Sequence, residues 1–468
     1  MSDVNASLDE TLARLRAAHA RNPSPDWPER AARLRALEAL VRDNRDVIAT
    51  AIATDFGQRP AEETSLLEIF PSLSGIRHAL RHARRWMRPR RRWAGMWFLP
   101  ARTELLPQPL GVVGIIVPWN YPLYLAIGPM TDALAAGNRV LVKMSEFTPR
   151  FSTLFAELVG KYFATDEVAV VNGDAEVARA FSALPLDHLL FTGSTPVGRE
   201  VMRAAAANLT PVTLELGGKS PAIIGPGARF DHAVERIVHG KLINAGQTCI
   251  APDYVLLPRA QMTAFIDGAR AMVGKLYPQF TSNPQYSSIV SDRQYARLAS
   301  LRDDAVAAGA TAHVLAESPV TPGSRVFPPV LLTGANDASS VMQQEIFGPL
   351  LPLVPYDCLD DAIAYIAARP HPLALYVFDD DRATVDTVLK RTSAGGVTVN
   401  DTILHIAQHD LPFGGVGASG MGAYHGEDGF RTFSRMKPIF RQARWNTVGL
   451  LNPPYRDVFR RMLKILVG

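Results

Sequence analysis

Between residues 111 and 214 the sequence alternates short apolar runs with segments of helical length. The runs are rich in valine, isoleucine and leucine, and the intervening segments are long enough to cross back over a sheet. Strands that alternate with helices in this way form βαβ units on a parallel sheet. The predicted strands are 111–117, 140–143, 168–171 and 189–192, and the predicted helices end at Ala136 or span 149–163 and 195–207. This region therefore predicts an α/β fold with a doubly wound nucleotide-binding domain.

A second α/β domain is predicted after residue 214. Its sequence favours a helix at 231–244, a strand at 254–257 and a helix at 294–309. Before the alternation of strands and helices begins, residues 27–52 carry apolar residues at helical spacing and predict an amphipathic helix. A chain of 468 residues that is 47% hydrophobic is large enough for two or three domains.

The charge balance argues against a nucleic-acid partner. Lys and Arg number 49 against 45 Asp and Glu, which leaves a net charge of only +4. The basic cluster at 81–92 has the spacing of a solvated helix face that runs into a loop at Pro89.

Cysteine content and hydropathy indicate a cytoplasmic protein. The two cysteines, Cys249 and Cys358, cannot form a disulfide framework, and a reducing compartment suits a reactive thiol. The amino terminus lacks the apolar stretch of a signal peptide, and no window has the apolar length of a membrane span.

Cys249 and Glu215 are the strongest candidates for chemistry. Each lies on a glycine-containing turn after an apolar run, and a thiol with a carboxylate supplies what covalent catalysis on a carbonyl requires. An isolated cysteine is more often a small buried hydrophobe, which is the reading for Cys358, because no motif surrounds it.

The Gly193 and Gly198 pair is a weaker signal. By itself it could serve only close packing, but it lies between a predicted strand and the next helix. A helix N-terminus at the carboxyl ends of a parallel sheet is where a pyrophosphate binds.

Seven motifs occur in the order found in aldehyde dehydrogenases, and the chain resembles that family over nearly its whole length. They are 118–122 (PWNYP), 143–146 (KMSE), 191–195 (FTGST), 214–219 (LELGGK), 246–249 (GQTC), 345–349 (EIFGP) and 412–415 (PFGG). The short length, 249–254 (CIAPDY) and 417–426 (GASGMGAYHG) resemble the class 3 branch. Residues 399–402 (VNDT) with Ala407 and Gln408 are most similar to bacterial coniferyl aldehyde dehydrogenases.

The resemblance implies a role for each catalytic candidate. Cys249 would be the nucleophile, Glu215 the base that activates water for thioester hydrolysis, and Asn120 the oxyanion donor together with the Cys249 backbone N–H. Without the resemblance, Asn120 could be only a turn former before Tyr-Pro.

The resemblance also implies NAD as cofactor, with NADP possible. Lys143 and Glu146 would hold the adenosine ribose, and Glu345 with Phe347 would lie at the nicotinamide ribose and ring. Glu146 should repel a 2′-phosphate and so favour NAD, whereas Met144 replaces the proline usual in the family motif and loosens that turn. Further residues assigned to the cofactor site are Trp119, Thr192, Gly193, Ser194 and Gly198. No metal site is expected.

The implied function is NAD(P)-dependent oxidation of an apolar aldehyde, aromatic such as coniferyl aldehyde or aliphatic, to the carboxylic acid. Tyr121, Tyr124 and Phe413 would supply aromatic walls that suit either substrate class. One alternative is a CoA-acylating aldehyde dehydrogenase, but that branch lacks the water-activating glutamate. The other is a catalytically silent structural or binding protein, which the joint presence of Asn120, Glu215 and Cys249 disfavours.

The domain plan implied by the resemblance has three parts. Residues 1–214 would bind NAD(P), interrupted near 98–109 by a strand of an oligomerisation arm; 215–405 would form the α/β catalytic domain; and 406–468 would return to the cofactor domain. The arm, a small β unit made from strands at 102–106 and 438–445, implies a homodimer.

The carboxyl-terminal tail predicts a short amphipathic helix. Phe459, Met462, Leu463 and Leu466 fall on one face, with basic residues on another. The face could pack on its own domain or a partner subunit, roof the substrate tunnel, or rest on an anionic membrane surface.

Overall fold

The computed structural model of the chain describes residues 2–317, 324–446 and 448–468. The strands are β1 Arg90–Arg92, β2 Arg102–Pro109, β3 Val112–Ile116, β4 Arg139–Lys143, β5 Val168–Val171, β6 His188–Gly193, β7 Val212–Leu216, β8 Pro221–Ile224, β9 Tyr254–Pro258, β10 Thr311–Val314, β11 Val330–Thr333, β12 Leu350–Tyr356, β13 Ala374–Phe378, β14 Gly396–Val399, β15 Gly420–Met421 and β16 Ser434–Arg441.

The α-helices follow the same chain order. They are α1 Ser2–Arg21, α2 Trp27–Asp43, α3 Arg45–Phe56, α4 Ala61–Thr64, α5 Phe70–Trp86, α6 Tyr124–Ala136, α7 Pro149–Tyr162, α8 Ala175–Ser182, α9 Thr195–Ala206, α10 Phe230–Leu242, α11 Met262–Leu276, α12 Asp292–Ala307, α13 Ser340–Gln343, α14 Leu359–Ala367, α15 Arg382–Arg391, α16 Gly426–Thr432 and α17 Asp457–Val467. A π-helical turn, Ser65–Ile69, joins α4 to α5.

The first sheet has six strands in the order β15-β7-β6-β3-β4-β5, parallel except for β15. Its strands carry apolar side chains on both faces, because helices cover both. Val113 on β3 packs in the cluster that includes residues of α5, α6 and α7, whereas its neighbour Val112 packs with α1 and α9. The predicted doubly wound sheet is therefore confirmed.

The second sheet has seven strands in the order β10-β11-β12-β9-β8-β13-β14, parallel except for β10. The third is the small antiparallel sheet β1-β2-β16. The predicted second α/β unit and small β unit are thus both present. Strand β7 runs across the predicted boundary between residues 214 and 215, and the domain limits stay a prediction.

Several predicted elements need correction. The helix predicted at 27–52 is two helices, α2 and α3, because Asn44 between them has the non-helical backbone angles φ −119° and ψ 15°. The strand predicted at 438–445 is β16, Ser434–Arg441, whose register against β2 starts at Pro109 and ends at Arg102. Helix α1 was not predicted, although Leu8, Leu12 and Leu15 follow helical spacing and are buried.

The predicted tail helix is present as α17. None of its residues is buried within the chain, and Leu463 and Leu466 are 45% and 42% exposed. Packing of this apolar face on its own domain is therefore not seen. No helix among the described residues combines the length and hydropathy needed to cross a bilayer.

Candidate active site

Glu215 lies near the end of β7, paired with Thr192 of β6 on one side and Gly420 of β15 on the other. Its side chain is only 2% exposed, and neither carboxylate oxygen has a hydrogen-bond partner among the described residues. Loss of hydration raises the pKa of this carboxyl well above its usual value. A carboxyl group with a raised pKa can accept a proton near neutral pH, as a general base must.

The segment before Cys249 is a tight reversal after α10. Asn244, Ala245 and Gly246 all have positive φ angles, and a Cβ on Gly246 would lie 2.4 Å from the Gly348 carbonyl oxygen. Only glycine fits at position 246, because the angle and the close approach both exclude a side chain. The motif glycine thus lets the chain turn into the loop that carries the thiol.

Gln247 fixes this loop from the inside. Its Nε2 donates to the carbonyl oxygens of Asn244 and Ser288, each at 3.0 Å, and its Oε1 accepts from the Val290 backbone N–H at 2.9 Å. Such a satisfied buried amide holds the backbone two residues before the thiol in one conformation.

Cys249 itself is half-buried. Burial raises the pKa of its thiol above the usual value, and the charges of Glu345 and Glu215 raise it further. Both carboxyl groups are far from Cys249 in sequence, but in the fold they are near enough to act electrostatically on its thiol. The thiolate is the form that attacks a carbonyl, so the thiol must give up its proton before it reacts.

Asn120 is bound to the same loop. Its side-chain Nδ2 donates to the Gln247 carbonyl oxygen at 3.2 Å, and its own carbonyl oxygen accepts from Asn244 Nδ2 at 3.1 Å. The side chain is 3% exposed. The structure thus brings Asn120 to the loop of Cys249, as expected for a group that would share an oxyanion with it.

A buried ion pair that the sequence analysis missed supports this region. Arg59 and Glu68 have fully buried side chains with 3.0 Å between Nη1 and Oε1. Arg59 also donates to the Asn120 carbonyl oxygen at 3.1 Å, and Glu68 accepts the backbone N–H groups of Leu123 and Tyr124 at 2.8 and 3.2 Å. The pair therefore fixes the backbone on both sides of Tyr121.

The predicted cofactor residues meet at the carboxyl edge of the first sheet. Strands β6, β3 and β4 are neighbours in this sheet. Thr192 lies near the end of β6, Trp119 follows β3, and Lys143 is the last residue of β4, so all three lie at that edge. Lys143 is 2% exposed, and its Nζ lies 3.2 Å from Glu146 Oε2. Thr192 Oγ1 is buried without a partner among the described residues.

Helix α9 starts at this edge. Ser194 occupies its N-cap without a side-chain bond to the helix, which leaves the first N–H groups free of a cap. A Cβ on Gly193 would lie 2.5 Å from the Phe191 ring. A Cβ on Gly198 would lie 2.6 Å from Leu216, so this glycine lets α9 pack directly on β7.

A second ion pair that the sequence analysis missed, between Lys219 and Asp253, holds the segment around Glu345. Lys219 forms an ion pair with Asp253 and donates to the carbonyl oxygens of Val341 and Gln344 at 2.8 and 3.1 Å. Asp253 also accepts the Ile346 backbone N–H at 2.9 Å. Burial and the Asp253 charge raise the pKa of Glu345 to about 8.

Phe347 completes this segment with a left-handed backbone, φ 51°. Its ring meets the Trp119 ring edge to face at 5.2 Å. Trp119 and Phe347, predicted from separate motifs, therefore lie side by side.

The three predicted pocket aromatics lie in two places. The Tyr121 hydroxyl is 2.6 Å from Thr248 Oγ1, directly beside Cys249 in the sequence. Tyr124 and Phe413 both contact His425: the Tyr124 hydroxyl is 3.3 Å from Nε2, and the Phe413 ring stacks on the imidazole at 5.5 Å. Sequence reasoning did not single out His425. In the described part of the chain, no group of three or more His, Cys, Asp or Glu side chains is arranged to hold a metal ion.

Comparison with known proteins agrees with this geometry. Residues 3–439 match the model of the aldehyde dehydrogenase family. A Pseudomonas aeruginosa protein named probable coniferyl aldehyde dehydrogenase is 50% identical over 97% of this chain and 95% of its own length.

Two solved structures show the same fold. The substrate-bound state of Staphylococcus aureus AldH has a TM-score of 0.93 at 35% identity, covering 98% of this chain and 99% of its own. Betaine aldehyde dehydrogenase from Staphylococcus aureus in complex with NAD+ has a TM-score of 0.85 at 25% identity, covering 94% and 88%. The resemblance found in the sequence is confirmed: the chain belongs to the aldehyde dehydrogenase family and is an oxidoreductase that acts on aldehydes.

Proposed function

We propose that this enzyme oxidises an apolar aldehyde, aromatic such as coniferyl aldehyde or medium- to long-chain aliphatic, to the carboxylic acid with NAD(P) as the hydride acceptor. The observation that carries the proposal is the hydrogen bond from Asn120 Nδ2 to the Gln247 carbonyl oxygen, which holds the candidate oxyanion donor against the loop of Cys249. The charges of Glu215 and Glu345 also act on that thiol. The 50% identical relative favours an aromatic substrate.

The chain binds NAD(P), and its residues fit the cofactor. The unpartnered Thr192 hydroxyl and the uncapped start of α9 offer hydrogen-bond donors at one sheet edge. Lys143 with Glu146 would hold the adenosine ribose, and Glu345 with Phe347 would lie at the nicotinamide end. When bound, the nicotinamide supplies the acceptor for a hydride.

In the first half of the reaction, the Cys249 thiol gives its proton to a water molecule, and the thiolate adds to the aldehyde carbon and forms a hemithioacetal. Asn120 Nδ2 and the Cys249 backbone N–H donate to the oxyanion as charge develops on it. The carbon then loses its hydrogen with the electron pair, and a thioester to Cys249 is left.

In the second half, Glu215 takes a proton from a water molecule as that water adds to the thioester carbon. The C–S bond breaks, Cys249 leaves as a thiolate, and the carboxylic acid is released. The Glu215 carboxyl is buried with no hydrogen-bond donor in the described part of the chain, and its raised pKa makes it a stronger base than an exposed glutamate.

The alternative acyl acceptor is CoA. A CoA-acylating enzyme would need no water-activating carboxylate, whereas this chain has the buried carboxyl of Glu215, whose charge acts on the Cys249 thiol. The joint presence of Asn120, Glu215 and Cys249 likewise disfavours a catalytically silent structural or binding protein.

A nicotinamide absorbance assay with product analysis tests the proposal. We expect reduction of NAD with coniferyl aldehyde and benzaldehyde, a carboxylic acid as product without CoA, and no oxidation by Cys249→Ser. Cys358→Ser is the matched control and should retain activity. The expectation of a buried hydrophobe at Cys358 was wrong, because this residue is exposed at the start of α14, and no catalytic motif surrounds it. No turnover with any aldehyde, or turnover only with CoA, would contradict the proposal.

A further inference from the structure

Four polar residues within one short stretch, residues 58–68, contact the chain around the candidate oxyanion donor. They are Gln58, Arg59, Glu63 and Glu68. The stretch contains α4 and most of the π-helical turn Ser65–Ile69, and such turns are frequent at functional sites. This one lies beside the candidate active site, because Glu68 accepts the backbone N–H groups of Leu123 and Tyr124.

Glu63 joins α4 to the loop of Cys249. Its Oε1 accepts the backbone N–H of Asn244, and its Oε2 accepts the hydroxyl of Ser287. Both partners are buried, and Asn244 has a left-handed backbone, φ 51°. The carboxylate thus ties the first left-handed residue of the reversal before Cys249 to a second buried segment.

Asn244 links this restraint to the candidate oxyanion donor. Its Nδ2 donates to the carbonyl oxygens of Asn120 and Gln247, at 3.1 and 3.2 Å. The Gln247 carbonyl oxygen also accepts Asn120 Nδ2. The residue that Glu63 holds is therefore bonded both to Asn120 and to the chain two residues before Cys249.

Gln58 holds the other support of this loop. Its carbonyl oxygen accepts the Ser288 backbone N–H at 2.8 Å, and its Nε2 donates to the Tyr286 carbonyl oxygen at 2.7 Å. Ser288 in turn offers its carbonyl oxygen to Gln247 Nε2. The same short stretch therefore fixes the loop of Cys249 from two directions.

The charged groups of the stretch also converge. Arg59, Glu63 and Glu68 are all near enough to act electrostatically on the Tyr121 hydroxyl, which lies 2.6 Å from Thr248 Oγ1. In an α-helix, residues on one face are three or four positions apart, so residues five apart point to different sides. The π-helical turn adds one residue to the helix, which turns Glu68 towards the side of Glu63.

We propose that Glu63 is a positioning residue for aldehyde oxidation, which holds Asn120 and the loop of Cys249 at the spacing where both donate to one oxyanion. The inference rests on the proposed function and adds to it a residue that acts through Asn244. Removal of the carboxylate would leave a buried backbone N–H without this acceptor and free the reversal to shift.

The test is a double-mutant cycle with Asn120, measured as single-turnover formation of NADH at saturating NAD and aldehyde. Glu63→Ala should lower this rate by about tenfold to 100-fold, because a misplacement of about 1 Å can cost 100-fold in rate. In Asn120→Ala enzyme the same change should cost less than about threefold, because the donor that Glu63 positions is then absent. Glu63→Gln should recover most of the rate, since its amide oxygen can still accept the Asn244 N–H.

Glu62→Ala is the matched control. Glu62 is the neighbouring glutamate of α4 and is exposed, so this variant should keep the wild-type rate. Ser287→Ala is a second, milder variant: it removes the hydroxyl bonded to Glu63 Oε2 and keeps the acceptor for Asn244, and it should lower the rate by about threefold to tenfold. This variant decides the question if Glu63→Ala does not yield folded enzyme.

Wild-type rates in Glu63→Ala, or in Ser287→Ala where only that variant folds, would overturn the inference while leaving aldehyde oxidation in place. Equal losses with and without the Asn120 amide would also overturn it, because they would show that Glu63 only stabilises the fold. A wild-type rate in Asn120→Ala alone would instead overturn the oxyanion role in the proposed function, and the inference with it.

Discussion

Replacing Asn120 with alanine should separate catalysis from folding at this site. The side-chain amide makes one hydrogen bond in the resting enzyme, to the Gln247 carbonyl oxygen at 3.2 Å. That oxygen also accepts Asn244 Nδ2 at 3.2 Å, so the truncation leaves no buried acceptor without a donor. The expected cost in the free energy of unfolding is therefore only about 1 kcal/mol, the net value of one hydrogen bond.

The expected loss of transition-state stabilisation is larger than this loss of folding stability. If Asn120 supplies one of the two oxyanion donors, its loss should lower kcat by about 100-fold to 1000-fold. Single-turnover formation of NADH at saturating NAD would measure the first chemical step directly, and NADH titration by fluorescence should show nearly unchanged cofactor affinity.

Asn208→Ala provides the control for this variant. Its amide also donates to a single carbonyl oxygen, that of Ala183, but it is exposed and lies after α9. Full activity is expected there. An Asn120→Ala enzyme with wild-type single-turnover rates, or one whose defect is confined to NAD affinity, would place Asn120 outside the oxyanion site.

Three further outcomes follow from the structure. Glu68→Gln should lower the free energy of unfolding by about 3–5 kcal/mol, because it leaves the buried Arg59 guanidinium without its counterion. Asp357→Asn, which breaks the exposed ion pair with Arg259, should cost only about 0–1 kcal/mol. Thermal melting compares the two variants, and equal shifts would refute the role of the Arg59–Glu68 pair in holding the backbone beside Tyr121. Glu146→Ser should raise kcat/KM with NADP relative to NAD by removing the carboxylate that would repel a 2′-phosphate; an unchanged ratio would contradict that role. Deletion of residues after Pro454 should leave the thermal transition in place, because no residue of α17 is buried within the chain. A changed preference for long-chain over small aldehydes would then assign the helix to the substrate tunnel. A lower mass of the protein in solution would assign it to a partner subunit, and loss of binding to anionic vesicles would assign it to a membrane surface.

Local periodicity predicted the first sheet well. Its buried parallel strands have apolar side chains on both faces and appear as near-continuous apolar runs, so β3 to β6 were placed within about two residues of their observed ends. Strands at the edges of sheets were harder to place from the sequence. Strand β16 is largely exposed, and its apolar and polar residues alternate only weakly. The prediction therefore placed it four residues too far along the chain, at 438–445 instead of Ser434–Arg441.

The residues of the candidate site also differ in how well the sequence predicted them. The motifs identified Cys249, Glu215 and Asn120 as candidates. In the structure Asn120 is hydrogen-bonded to the loop of Cys249, and the charge of Glu215 acts on the thiol, while their catalytic roles stay a prediction. Arg59 and Glu68, which hold the backbone on both sides of Tyr121, were missed because their ion pair forms through a tertiary contact and leaves no periodic signal in the sequence. His425 was missed for the same reason, since only folding brings it to Tyr124.

The most direct test of the account is intact-mass spectrometry of Glu215→Gln after mixing with NAD and coniferyl aldehyde. The account predicts a burst of NADH close to one equivalent per active site, followed by a stalled enzyme that carries one acyl group on the peptide containing Cys249. Steady turnover at the wild-type rate without an adduct, or an acyl group on any other residue, would contradict it.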